Sequence, residues 1–406
     1  MLKKYGAKIA RFHRKDLFLC QIISNMRKYA IWCAAVICAM LSCSRPQPVS
    51  QTAVQEIPTD SMLYAKGFGM SRYADSTVIS VFNPWQGAND VVYRYTLVPR
   101  GPSSLTAMAD MSHIPVPARR VVCMSSSYVA FFDALGCTDS IFGVSGANYI
   151  YNPSLRSRIE QGEVKDVGYG QALNYELIVD LKPDVLLCFG VGTETLPVIE
   201  KLHSLGIPTM LVGEYLENHP LGKSEWIKVM GALMGREAMA DSLFEALRLR
   251  YEQLVQDIAQ QPEHPAVFMN MPYKDVWYSP GTQNYFVQLI RDAGGLYLFD
   301  DLSGSRSYPI SFERAYSAGM QADVWLCPGS ANSLSDIADF DARLKNLQPY
   351  KQRRIFNNNN RSTPHGGSDF WESGTMCPDI ILRDMAAIFH PRMQAGYKMH
   401  YFVQLR

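Results

Sequence analysis

Asn174-Tyr175-Glu176-Leu177-Ile178-Val179-Asp180-Leu181-Lys182-Pro183-Asp184-Val185-Leu186-Leu187-Cys188-Phe189-Gly190 reads as an amphipathic stretch carrying one glutamate, followed by a buried strand. The strand's unbroken apolar run suits a sheet covered on both faces. Further along, Asp323-Val324-Trp325-Leu326-Cys327-Pro328-Gly329 is nearly the same string, again behind a glutamate, Glu313 in Ser311-Phe312-Glu313-Arg314-Ala315. The Glu-to-Asp spacings are eight and ten residues. Two such units, one on each side of a long helical stretch, predict two similar lobes.

Outward from the first unit, short apolar strands alternate with helical stretches from residue 119. Val121-Val122-Cys123-Met124 precedes Ser125-Ser126-Ser127, a serine cluster suited to starting a helix, and Ile207-Pro208-Thr209-Met210-Leu211-Val212 is the next strand. Residues 221–261 contain no proline, and Leu243, Leu247, Tyr251, Leu254 and Ile258 fall on one helix face, while Gly231 and Gly235 weaken the early part and leave two helices as the alternative. A second alternating set opens at Ala266-Val267-Phe268-Met269 and ends in a helix expected from Trp371 to His390. Two β-rich runs at 77–82 and 91–97 flank a Pro/Gly/Asn break and predict a hairpin. The expected class is therefore α/β: two Rossmann-like lobes with mostly parallel sheets, joined by one long helix and preceded by a small β-hairpin extension. The expected boundaries are a β-rich extension at 62–116, an N-terminal lobe at 117–220, a connecting helix at 221–261 and a C-terminal lobe at 262–406.

The beginning of the chain indicates export. Residues 30–41 form an apolar run of twelve after Arg27-Lys28. That is too short for a membrane span, which needs about 20 residues, and suits the core of a signal peptide. The run ends in Met40-Leu41-Ser42-Cys43, similar to a bacterial lipobox with Met where Leu is usual. Residues 1–42 then read as a signal peptide, with Met26 a natural start and 1–25 an extension. Cys43 is the expected lipidation site and 43–61 the tether. The leader holds eight of the 39 basic residues and one of the 38 acidic ones, so the remainder carries six more acidic than basic residues. That balance argues against a nucleic-acid partner. Beyond Cys43 only five cysteines remain, an odd number without tight spacing, which is no disulfide framework.

On these residues the chain resembles the periplasmic solute-binding proteins of ABC importers for ferric siderophores, haem and cobalamin, in lipoprotein form. The resemblance spans about residues 115–392. It rests on Pro117-Ala118-Arg119-Arg120-Val121-Val122, Gly143-Val144-Ser145, Asp166-Val167-Gly168, the 174–184 stretch, Ala293-Gly294-Gly295 and Ser311-Phe312-Glu313. It implies two α/β lobes bridged by one long helix, a ligand held between them, and one glutamate per lobe docking onto permease arginines. By motif position these are Glu176 and Glu313, the two that the internal repeat singles out. It also implies a partnership with an ABC permease and its ATPase, a location in the periplasm on a lipid anchor, and a monomer.

In such folds the ligand lies on loops after the strands. The ligand-contact candidates at those positions are Ser126, Tyr149, Tyr169, Trp277, Arg306, Arg361 and Trp371, with Tyr169 in Val167-Gly168-Tyr169-Gly170-Gln171 foremost. Aromatics offer flat apolar area and arginines pair with oxyanions bidentately. Of the ligands, a ferric siderophore leads, with cobalamin or haem as alternatives. No cofactor of the protein's own and no protein-held metal is expected, because the histidines are scattered without helix-ligand spacing. An enzyme on a two-lobed scaffold is the rival of another class. The sequence carries no GxSxG, HExxH or P-loop motif.

Overall fold

The computed structural model describes residues 62–101 and 111–406, which belong to one compact unit. The expected leader, Cys43 and the tether lie outside the described residues.

The extension is more than a hairpin. β1 (Phe68–Arg72), β2 (Thr77–Phe82), β3 (Val92–Pro99) and β4 (His113–Val116) form a sheet in that order, antiparallel except for the β3–β4 pair. Alternation buries Phe68, Met70, Ile79, Val81, Tyr95 and Leu97 on one face. That face belongs to the main core: Phe68 packs on Trp226 at 4.7 Å, and Leu211 N–H donates to the Tyr95 hydroxyl at 3.0 Å.

The N-terminal lobe has β5 (Val121–Cys123), β6 (Ile141–Val144), β7 (Lys165–Asp166), β8 (Val185–Cys188) and β9 (Thr209–Leu211), all parallel, in the order β7-β6-β5-β8-β9. Its helices are α1 (Ser126–Ala134), α2 (Pro153–Glu160), α3 (Tyr175–Leu181) and α4 (Leu196–Ser204). Val121, Val122, Val185, Leu186 and Leu187 are fully enclosed, which is what their continuous apolar runs require.

The connection between lobes corrects the single helix expected over 221–261 and follows the alternative of a break at the glycines, with one helix more. It is built as α5 (Pro220–Glu225), α6 (Ile227–Met234) and the long α7 (Glu237–Ile258). Gly235 ends α6 in the left-handed region at φ 63°, a conformation glycine adopts without penalty. The 22 residues of α7 span about 33 Å. They bury Ala240, Phe244, Leu247, Tyr251, Leu254 and Ile258, so Phe244 rather than Leu243 completes the predicted face.

The C-terminal lobe has β10 (Ala266–Met269), β11 (Trp277–Pro280), β12 (Leu296–Tyr297), β13 (Ser307–Ile310), β14 (Val324–Leu326), β15 (Ile355–Asn357) and β16 (Val403–Gln404). Its main sheet runs β12-β10-β14-β15-β16, parallel but for the last pair, while β11 and β13 form a separate antiparallel arm. The helices are α8 (Tyr285–Asp292), α9 (Phe312–Gly319), α10 (Leu334–Phe340), α11 (Gln348–Lys351) and α12 (Pro378–Phe389). The last helix thus starts at Pro378, not Trp371, because residues 358–377 form a long connection with a single 3-10 turn at Ser373–Thr375. Buried Asp384 on α12 accepts the N–H groups of His400, Tyr401 and Phe402, which folds the tail back to place β16 beside β15.

The internal repeat is structural. Asn174 caps α3 and Ser311 caps α9, each through its side chain, and Glu176 and Glu313 stand at the second helical position. Asp184 accepts the N–H groups of Arg119 and Arg120 just ahead of β5, while Asp323 accepts that of Ala266 at the start of β10. One device therefore ties the helix–strand unit to the first strand of each lobe.

Candidate ligand-binding cleft

In each lobe the strand order reverses once, between β5 and β8 and between β10 and β14. Loops leaving strand ends diverge at such points and leave a crevice. In the N-terminal lobe Met124, Ser145, Tyr169 and Phe189 follow β5, β6, β7 and β8, and with Val191 and Glu194 they line a cavity of about 640 Å³. Tyr169 is 72 % exposed, the most open large side chain of the strand-end loops. A second cavity of about 710 Å³ lies between residues 83–87 of the extension, Leu216 and Asn218, and residues 304–308 of the C-terminal lobe. Arg306 lines it, its guanidinium 4.5 Å from the centre of the Tyr308 ring.

The other candidates separate. Tyr149 is exposed, and its main chain lies so close to Gly367 that a Cβ there would come within 2.3 Å of the Tyr149 carbonyl oxygen. Trp371 is half-exposed against Phe370. Ser126 is half-buried in the first turn of α1, whereas its neighbour Ser127 points inward and donates to Glu214 at 2.6 Å. Trp277 corrects the expectation of a ligand contact. It is only 1 % exposed, its ring lies among Phe268, Phe312 and Trp325, and its indole N–H donates to the Met269 carbonyl. Strand alternation turns Trp277 to the core and Tyr278 outward, a one-residue register that composition does not reveal. Arg361 is likewise engaged: it pairs with Asp369 at 2.6 Å and covers the Tyr151 ring.

Several buried carboxylates were not singled out by sequence, Glu214 and Glu372 among them. Glu214, past β9, accepts from Ser127 on one oxygen, while the other has no hydrogen-bond partner among the described residues. Burial raises the Glu214 carboxyl and lowers the Lys223 ammonium, which sits 4.1 Å from the centre of the Tyr285 ring. Glu372 joins the lobes. It is 2 % exposed and accepts the N–H groups of Tyr151 at 2.8 Å and Asn152 at 2.6 Å. Thr363 adds a bond to the Asn148 carbonyl. Carboxylates of this kind show only in three dimensions, since nothing local marks a glutamate as buried.

Burial pushes the Glu372 carboxyl up to about 7, against the two N–H donors, which favour the charged form. Asp369 and Asp133 push it the same way as burial. A carboxyl whose folded value lies above its unfolded one binds its proton preferentially in the docked state. Its stabilising contribution is therefore present at low pH and lost as pH rises through about 7. Relative to non-titrating Glu372→Gln, the parent protein should lose about 3 kcal/mol between pH 4.5 and 8. Denaturant unfolding of both proteins across that range measures it. A pH-independent difference would show that Glu372 does not titrate in the contact.

Glu176 and Glu313 are exposed at helix N-termini, which in a parallel α/β layer lie at the strand-end edge of each sheet. They therefore flank the cleft side of their lobes. The Glu313 carboxyl is held below the usual range by its own backbone N–H and by Ser311. Among the described residues no three His, Cys, Asp or Glu side chains are grouped to hold a metal ion, and the five cysteines are unpaired.

The sequence profile of periplasmic binding proteins matches residues 121–357, more than half of the chain. This chain belongs to the periplasmic binding protein family. The match begins at β5 and ends at β15, so it takes in both switch points and leaves the extension out. Of relatives, an uncharacterized lipoprotein of Methanocaldococcus jannaschii is 27 % identical over 380 residues, 88 % of this chain and 87 % of that protein. Of solved folds, a periplasmic haem-binding protein from Pseudomonas aeruginosa is similar at TM-score 0.54 and 17 % identity, covering 71 % of this chain and 98 % of that one. A protein of an Fe3+-hydroxamate transport system from Saccharomonospora viridis reaches TM-score 0.53 at 18 % identity, covering 68 % and 94 %. This periplasmic binding protein is thus a solute-binding protein rather than an enzyme. No helix of the described residues is long and apolar enough to cross a membrane.

Proposed function

We propose that this protein is the lipid-anchored solute-binding component of an ABC importer. It captures an iron chelate, a ferric siderophore, between its lobes and delivers it to the permease and its ATPase. The observation that carries this reading is the equivalence of Glu176 and Glu313: the same capped helix position, exposed on the cleft side of both lobes. Two like charges on separate rigid bodies form a two-point key for a cationic partner surface. The cavity around Tyr169 and Phe189 suits the flat apolar body of a chelate or macrocycle. The metal arrives inside the ligand, and the protein, acting as a monomer, needs no cofactor of its own. A lipid on Cys43 holds the cleft near the permease in the periplasm and replaces a diffusive search by a tethered one. The haem and Fe3+-hydroxamate neighbours support the ligand class.

The ligands under consideration are coloured, so absorbance decides among them. Purified protein exposed separately to a ferric trihydroxamate, haem and cobalamin, then desalted, should retain the ferric chelate's band. Retention of the haem or corrin band instead would reassign the ligand within the class, and retention of none would overturn the importer reading.

A further inference from the structure

The extension lies outside the family match, yet it reaches the cleft. The turn between β2 and β3 is closed by Asn83, whose N–H donates to the Val91 carbonyl and whose side chain accepts from Val91 N–H. It is pinned by Trp85, which is buried against Gly190 at the end of β8. Phe189 and Val191, on either side of Gly190, line the Tyr169 cavity. The turn therefore packs against the loop that lines that cavity, while its own residues line the 710 Å³ cavity.

The chemistry of this second cavity differs from the first. Asn83, Gln86 and Asn218 bring carboxamides, Ser305 and Tyr308 hydroxyls, and Arg306 a cation; none of its lining residues is acidic. Arg306 has no carboxylate partner among the described residues, and stacking on Tyr308 leaves the edge of its guanidinium free to donate. We propose that the extension completes a second subsite of the cleft, which takes an anionic, oxygen-rich arm of the ligand, a carboxylate or phosphate. The apolar body of the same ligand rests against Tyr169 and Phe189. This assignment rests on the solute-capture reading above and adds selectivity to it: of two ligands with the same body, the one bearing the anionic arm is preferred. Charge-assisted bonds from a guanidinium supply the preference.

Matched probes test it by fluorescence titration: haem against its dimethyl ester, cobalamin against cobinamide, which lacks the nucleotide phosphate, and a ferric trihydroxamate bearing a free carboxylate against its methyl ester. In at least one pair the anionic member should bind about tenfold more tightly or better. Arg306→Gln, a change at an exposed side chain, should bring the two members within about twofold of each other, and Gln86→Ala should narrow the gap. Tyr169→Ala should weaken both members alike. Binding of both members with equal affinity, or a preference unchanged in Arg306→Gln, would overturn the subsite and leave solute capture standing. Failure of every probe to bind would overturn solute capture of this class, and the subsite with it.

Discussion

Reversing both proposed docking charges, Glu176→Arg together with Glu313→Arg, is expected to reduce ligand uptake by cells to background. The purified protein should keep its ligand affinity within about twofold, because charges at the rim act on partner encounter rather than on the buried contacts. Both side chains are exposed and stand at the second position of a side-chain-capped helix, so their charge faces outward without touching the core. The stability cost is small: a cation in the first helical turn loses about 0.3–1 kcal/mol against the macrodipole. Each single neutralisation, Glu176→Gln or Glu313→Gln, should leave partial uptake that recovers at lower ionic strength, since one of two attractive contacts survives and screening weakens with dilution. Uptake assays paired with titration of purified protein separate the outcomes. Loss of ligand affinity in either single variant would place these glutamates in the cleft rather than at the permease.

Glu225→Ala should be the most destabilising of the single changes considered. Glu225 is fully enclosed, and its two oxygens accept the N–H groups of Leu63, Tyr64 and Ala65 and pair with Lys228 at 2.9 Å. Glu217 continues the series with Lys66, Gly67 and the Trp226 indole. Five consecutive main-chain donors ahead of β1 thus end on two carboxylates, Glu225 in the interlobe connection and Glu217 just ahead of it. Removing one carboxylate strands several donors and an ammonium at once, which costs about 3–5 kcal/mol. Denaturant unfolding should show one transition at a lower midpoint, because the extension shares its core with the N-terminal lobe. A loss below about 1 kcal/mol would mean that water replaces the carboxylate and that the extension is held by its apolar face alone.

The two lobes were legible because their signals are local. Val185-Leu186-Leu187 and Val324-Trp325-Leu326 are continuous apolar runs, and each follows a polar cap, a glutamate and an amphipathic turn. The long helix was legible from its face, while its start was not. Gly231 and Gly235 mark where the 221–261 pattern weakens, but only the packed structure shows the chain breaking there, with Gly235 in the left-handed region. Within the cleft, Tyr169 and Arg306 line cavities as their loop positions implied. Trp277 does not, because strand register set its direction, and Arg361 found a carboxylate eight residues on.

By itself, then, the amino-acid sequence determined the fold class, the duplicated helix–strand unit and the placement of Glu176 and Glu313, all matters of contacts within about a dozen residues. Only the tertiary structure decided where the extension packs and which carboxylates are buried. Glu372 meets Tyr151 from 221 residues away, and Glu225 meets Leu63 across 162. Closing such loops is settled by the whole core at once, not by any local pattern. The turn at Asn83–Gly87, a simple break between two strands when read along the chain, becomes a wall of the cleft only when β8 ends beneath it.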